Sequence, residues 1–131
     1  MILETVAVGI VDVNDPLLNI FVFASNEAGR HGRGSALEAR KNHGAIYGKG
    51  VGFQGFSYAI PTKDKNLNVL PIEKIKQYVD EFIEFANNHS EYTFNVVKIG
   101  CGLAGYKEEE MIPLFKNCPK NCNLPEGWKN G

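Results

Sequence analysis

Segments of strand character alternate with segments of helix character along this sequence, which predicts an α/β domain of three layers, α/β/α, around a mixed but mostly parallel sheet. Three observations carry the prediction. Asn19 to Ala24 is a near-continuous apolar run, the pattern of a strand covered on both faces. Pro71 to Asn88 sets Ile72, Ile75, Val79, Phe82, Ile83 and Ala86 at spacings of three and four with charges between them, the pattern of a helix lying on a sheet. Two strand-like runs end in glycine-rich turns, one after Ser25 and Asn26 and one after Ile99, where open α/β sheets place their ligands.

In chain order, Ile2 to Val13 is rich in β-branched residues and reads as one or two strands leading to Asp12, before a turn at Asn14-Asp15-Pro16. Asn19 to Ala24 is the central strand. Ser35 to His43 carries Ala36, Leu37, Ala39 and Arg40 at helical spacing, with Gly44 as its stop. Ile46 to Gly55, with glycines at 48, 50, 52 and 55, reads as an ordered loop rather than a regular element or a flexible linker. Phe56 to Pro61 is a strand that proline should end, since it cannot donate to a sheet ladder, and Thr62, Lys63 and Asp64 then lie just past it. The long helix begins at Pro71, which suits a first turn. Tyr92 to Ile99 is a strand running into Gly100-Cys101-Gly102-Leu103-Ala104-Gly105. Glu108 to Phe115 is a short helix kinked or ended by Pro113. Residues 117–131 read as an irregular C-terminal tail with room for one short strand, the whole of 1–131 being a single domain.

Composition narrows the function. At 131 residues, 44% hydrophobic and 22% charged, the chain is long enough to bury a core without staples and is not of disordered type. A net charge of −1 with mixed signs gives no footprint for sequence-specific nucleic-acid binding or for an anionic membrane. No apolar stretch reaches spanning length, and the start M-I-L-E-T lacks a signal pattern, so a cytoplasmic location is expected. The three cysteines are expected to be reduced thiols. Cys118 and Cys122 are spaced as two metal ligands would be, but a closed zinc site wants four, and no metal or cofactor is called for.

A parallel sheet brings the strand ends after Ala24, Ile60 and Ile99 to one edge, so the two glycine turns can close on one ligand. Glycines admit close backbone approach, and a helix N-terminus favours negative charge, which points to a phosphorylated molecule. Gly29, Gly32 and Gly34 match neither the dinucleotide fingerprint nor a P-loop. Arg30 and Arg33 are suited to phosphate oxygens, and His31 to donating a proton or acting as acid or base near neutral pH. The alternatives are exposed arginines and a capping histidine. Cys101 is either a nucleophile or a small buried hydrophobe. Phe53, Phe56 and Tyr106 either stack on a base or ribose or serve as lid and core.

The pair S-N-E-A-G-R-H-G-R-G-S-A (Ser25 to Ala36) and I-G-C-G-L-A-G-Y (Ile99 to Tyr106) resembles the two ligand loops of the macro domain, the ADP-ribose-binding module, with Y-A-I-P-T-K (Tyr58 to Lys63) between them. The likeness spans roughly residues 8 to 116 and is nearest the branch holding terminal ADP-ribose glycohydrolases and ADP-ribose phosphatases. It implies a macro-like fold that binds free ADP-ribose or an ADP-ribosylated macromolecule. By the same resemblance, Ser25 and Asn26 stand at the ligand, Asn26 on the distal ribose. Gly32 and Gly34 line ribose and diphosphate, the run Gly100, Cys101, Gly102, Leu103, Ala104, Gly105 and Tyr106 wraps the diphosphate, and Asp12 accepts from the adenine amino group.

The resemblance also implies a lysine, Lys63, that attacks the ribose beside an aspartate, but Ala104 stands where that aspartate would be. Asp64 is a possible substitute. Two function classes follow: an ADP-ribosyl hydrolase or ADP-ribose phosphatase using Lys63 or His31, and a non-catalytic reader or sequestering protein. A weaker third is an interaction module whose glycine loops are purely structural.

Overall fold

The computed structural model describes residues 18–128; the strands expected in Ile2 to Val13, and Asp12 with them, lie outside the described residues. Among the described residues five strands form one mixed sheet in the order β2-β3-β1-β4-β5. The apolar run is β1 (Asn19–Asn26), and it takes the centre, pairing in parallel with β3 (Ser57–Lys63) on one side and β4 (Thr93–Val96) on the other. The short β5 (Cys122–Asn123) adds in parallel to β4, and β2 (Gly52–Gln54) is antiparallel to β3.

Period-two alternation divides the core between two faces. Ile20 and Val22 of β1 and Tyr58 and Ile60 of β3 point to one face, against Ile75, Val79, Phe82, Ile83 and Ala86 of α2 (Ile72–Asn87). Burying a side chain such as Phe82, fully enclosed, contributes on the order of 2 to 3 kcal/mol. The same cluster takes in Met111 from α3 (Glu108–Met111) and Leu114 and Phe115 from the 3-10 turn Ile112–Phe115, where Pro113 sits in the first turn as its fixed φ allows. On the other face Phe23 and Ala59 meet Ala36 and Ala39 of α1 (Gly34–Asn42) and Ala45. Three of those five residues come from α1 or just past it and are alanines, which lets the short helix lie close to the sheet.

The three-layer α/β reading therefore holds, with three local differences. The loop expected over Ile46 to Gly55 contains β2, because Gly52 at φ +93 and Gly55 at φ +58 turn the chain tightly enough for residues 52–54 to pair back on β3. The strand expected to stop at Pro61 continues to Lys63. β2 pairs only with Ser57 to Ala59, and the next contact on that flank is the bridge from Lys63 to Val69, so Pro61 meets no demand for a donor there. Thr62 and Lys63 thus belong to the strand rather than lying past it. The tail is tied down as far as Trp128, which is 1% exposed, packs on Phe115 and donates from Nε1 to Glu108 Oε1 at 3.0 Å.

Candidate functional site

The ends of β1, β3 and β4 open onto a cavity of about 750 Å³, within the range of small-molecule sites. Its floor is Ala24, Ser25 and Asn26 from β1. One wall is the segment Arg30 to Ala36 apart from His31, another is Thr62, Lys63 and Leu67, and the third is Val97 to Ala104 apart from Ile99, with Glu108 beyond. The two glycine turns thus face one space.

The loop after β1 is held by its own side chains. Asn26 Nδ2 donates to the Arg30 carbonyl at 3.0 Å, and Asn26 Oδ1 accepts from the Arg30 N–H at 2.9 Å. Asn26 lines the cavity, but its amide is first of all the clasp of this loop. Ser25 contributes backbone, since its Oγ donates to the Gly50 carbonyl at 2.5 Å. Ser35 Oγ accepts from the Ala24 N–H at 3.2 Å, fastening the start of α1 to the strand. No side chain caps α1 at Arg33, so its N-terminal end, lined by Gly34, Ser35 and Ala36, presents positive potential to the cavity. Glu27, which accepts from Tyr78 Oη at 2.5 Å, fixes the loop to α2, and burial, then that bond, pushes the Tyr78 hydroxyl up to about 12.

Of the residues singled out from sequence, Ser25, Asn26, Gly32, Gly34, Lys63 and Gly100 to Ala104 all reach the cavity, as do Arg30 and Arg33. His31 does not. It is fully buried beside the cavity wall, edge-on to Phe23 at 5.3 Å and to Tyr47 at 6.2 Å, and neither ring nitrogen forms a well-aligned hydrogen bond to a described residue. Burial holds it below the ordinary imidazole value despite the nearby Lys49 backbone, so it is a neutral packing residue in this conformation. Gly105 and Tyr106 also fall outside the lining. The Tyr106 hydroxyl donates to the Leu70 carbonyl at 2.6 Å and its N–H to Gly100 at 2.9 Å, so this residue closes the second loop rather than touching its contents.

Two proposed pieces of chemistry find no support, one in position and one in its thiol. Asp64 Oδ1 accepts from the N–H groups of Asn66 and Asn68 at 2.8 and 2.9 Å; it organises the turn that carries Leu67 and does not line the cavity. Cys101 lines it, but burial and then Glu108 push its thiol up, away from the thiolate a nucleophile needs. Phe53 stacks on Phe85 and Tyr92 in a separate aromatic group, and Phe56 stands exposed.

Sequence reasoning passed over Lys98, Leu67 and Glu108. Lys98 Nζ lies 2.9 Å from Glu108 Oε2 at the rim; the carboxylate holds the ammonium above its ordinary value, and the ammonium holds Glu108 below its own. Lys98 was signalled by its place directly before the second loop. Leu67, at φ +66, gave no sequence signal. The lining then carries four cations, Arg30, Arg33, Lys63 and Lys98, against the single carboxylate of Glu108.

The glycines separate into kinds. Among the described residues, Gly32 and Gly102 alone have neither a left-handed φ nor any neighbour within 4 Å of where a Cβ would stand, and both line the cavity. Among the described residues no group of three or more His, Cys, Asp or Glu is placed to hold a metal ion, and no helix is long and apolar enough to cross a membrane.

No protein-family model matches this sequence, and no curated protein does. Two solved structures from Bacteroides thetaiotaomicron share the fold, one described as a protein of unknown function. The first is 20% identical, with a TM-score of 0.59 over 87% of this chain and 91% of the other. The second is also 20% identical, with a TM-score of 0.57 over 87% and 93%. At that identity the likeness establishes a shared α/β fold.

Proposed function

We propose that the cavity binds ADP-ribose or a related nucleotide, as the macro-like loop pair implies. The observation that carries this reading is the pair Gly32 and Gly102, for which the folded chain itself supplies no reason. A glycine facing an open cavity from each of two loops leaves backbone bare on both sides of one space, which suits a ligand that lies against backbone N–H groups. Four lining cations, with an uncapped helix start, give that ligand a negative charge to match a diphosphate.

Between the two function classes, reader or sequestering protein is favoured over hydrolase or phosphatase. Lys63 is at the cavity, but Asp64 is spent on its turn, His31 is buried away from it, and Glu108 is tied to Lys98 and Trp128. Glu108, the single carboxylate in the lining, is thus already engaged, and Asp64 beside Lys63 is turned to its own loop. A cytoplasmic setting, where nucleotides and reduced thiols coexist, accords with three free cysteines.

The test is calorimetric titration with ADP-ribose beside AMP and NAD, then product analysis of the same mixtures. Micromolar binding of ADP-ribose, about 8 kcal/mol, with the ligand recovered intact, is expected. Binding of none of the three would remove the reading, and release of free ADP-ribose from an ADP-ribosylated protein or from a phosphorylated ADP-ribose would restore the enzyme class.

A further inference from the structure

Leu67 is the lining residue that the fold itself does not explain. Among the described residues it alone, glycines aside, stands at a left-handed φ, +66. A leucine is strained there, whereas asparagine visits that region readily. Asn66 and Asn68 stand on either side of it, yet the leucine holds the strained place. The turn that imposes this φ is closely held. Besides the two bonds to Asp64 Oδ1, the Leu67 N–H bonds the Asp64 carbonyl at 3.0 Å, the Asp64 N–H the Asn68 carbonyl at 2.8 Å, and the Leu70 N–H the Thr62 carbonyl at 2.9 Å. The side chain gains no place in either core cluster in return; it is 44% exposed and lines the cavity.

Leu103 is its counterpart on the second glycine loop. It too lines the cavity, is 59% exposed, and has its Cδ1 3.8 Å from where a Cβ on Gly34 would stand. The turn bearing Leu67 follows β3 and the loop bearing Leu103 follows β4, the two strands that flank β1, so these leucines stand on either side of the cavity floor. A diphosphate would answer the four cations and give the leucines nothing. Apolar surface on two walls of one cavity is stabilised only when something apolar comes between them.

We propose that Leu67 and Leu103 form a binding site for a planar heterocycle carried on a ribose of the ligand, and so set which nucleotides the cavity prefers. This rests on the nucleotide reading, in which the rings are the ligand's apolar parts. A ring offers each leucine an apolar face while its polar edge stays free to meet water or backbone. The base at one end of a nucleotide and a second ring on its other ribose share that chemistry, and ADP-ribose and NAD tell them apart.

The full chain, isotope-labelled at its leucine methyl groups, is saturated with ADP-ribose or with NAD, and nuclear Overhauser contacts between those methyls and the ligand are recorded by NMR. The methyls of the two residues are identified by their loss in Leu67→Asn and Leu103→Ala. Contacts from both residues to ring protons are expected: to the adenine in both complexes if the base is held, to the nicotinamide with NAD if the second ring is. Leu67→Asn should weaken the ligand whose ring is held by about fivefold, while its unfolding midpoint stays or rises because asparagine fits the turn. Contacts to ribose protons alone, no ring contact in either complex, or parent affinity in both variants would overturn the site and leave nucleotide binding standing. Failure of the parent to bind either ligand would remove both.

Discussion

The glycines around Gly44 to Gly55 and those at Gly32 and Gly102 differ in what they face. In the first group the protein itself either fills the space, as at Gly44, Gly50 and Gly55 and at Gly29 against Gly48, or holds the glycine at a left-handed φ, as at Gly48 and Gly52. A Cβ on Gly50 would stand 2.1 Å from the Asn26 carbonyl oxygen, one on Gly29 2.3 Å from the backbone of Gly48, and one on Gly55 2.3 Å from that of Gly44. These contacts press the 44–55 segment against the end of β1 and so hold the floor of the cavity. At Gly32 and Gly102 a Cβ would meet nothing. Equal glycine richness in sequence thus hides two causes, backbone packing in one region and space for something absent from the chain in the other.

That contrast gives its largest effect at Gly50. Gly50→Ala must displace backbone, and urea unfolding should show a loss of about 3 kcal/mol; a loss under about 0.5 kcal/mol would mean that the segment does not brace β1. Lys63→Ala should weaken ADP-ribose binding about tenfold, about 1.4 kcal/mol, while leaving the unfolding midpoint in place. A fall in stability without a fall in affinity would move Lys63 to the structural side of the divide.

His31 sharpens the boundary, for it sits between two lining residues yet belongs to the core. Its folded-state value lies below the unfolded 6.5, chiefly through burial, so the unfolded chain takes up the proton first as the pH falls. Stability should therefore be complete above about pH 6.5 and decline below it, levelling off once His31 is protonated in the folded chain too. His31→Phe should flatten that decline in unfolding experiments between pH 7 and pH 5. An unchanged profile would place the sensitivity elsewhere. The smallest effect is expected at Gly32→Ala, whose stability should stay within about 0.5 kcal/mol of the parent.

Much of this was legible in the sequence because its signals are local. The apolar run of β1, the three-and-four spacing of α2 and the glycine turns after the strands each state their element within a few residues. What could not be read depends on neighbours distant in the chain. Pro61 looked like a strand end because sequence does not show that the pairing of β3 with β2 ends at Ala59 and leaves that flank undemanding. His31 looked chemical because its burial comes from Phe23 and Tyr47. Asp64 looked available because its hydrogen bonds go to Asn66 and Asn68 in a turn whose shape no spacing announces. Glu108 at the rim meets Trp128 only after the chain has folded back.

The central claim, that Gly32 and Gly102 are open for a ligand, is met most directly by titrating ADP-ribose into the parent protein and into Gly102→Ala side by side. The account predicts micromolar binding by the parent and at least about a tenfold loss, 1.4 kcal/mol or more, in a variant that unfolds at the parent's midpoint. Equal binding by the two, or none by the parent, would contradict it.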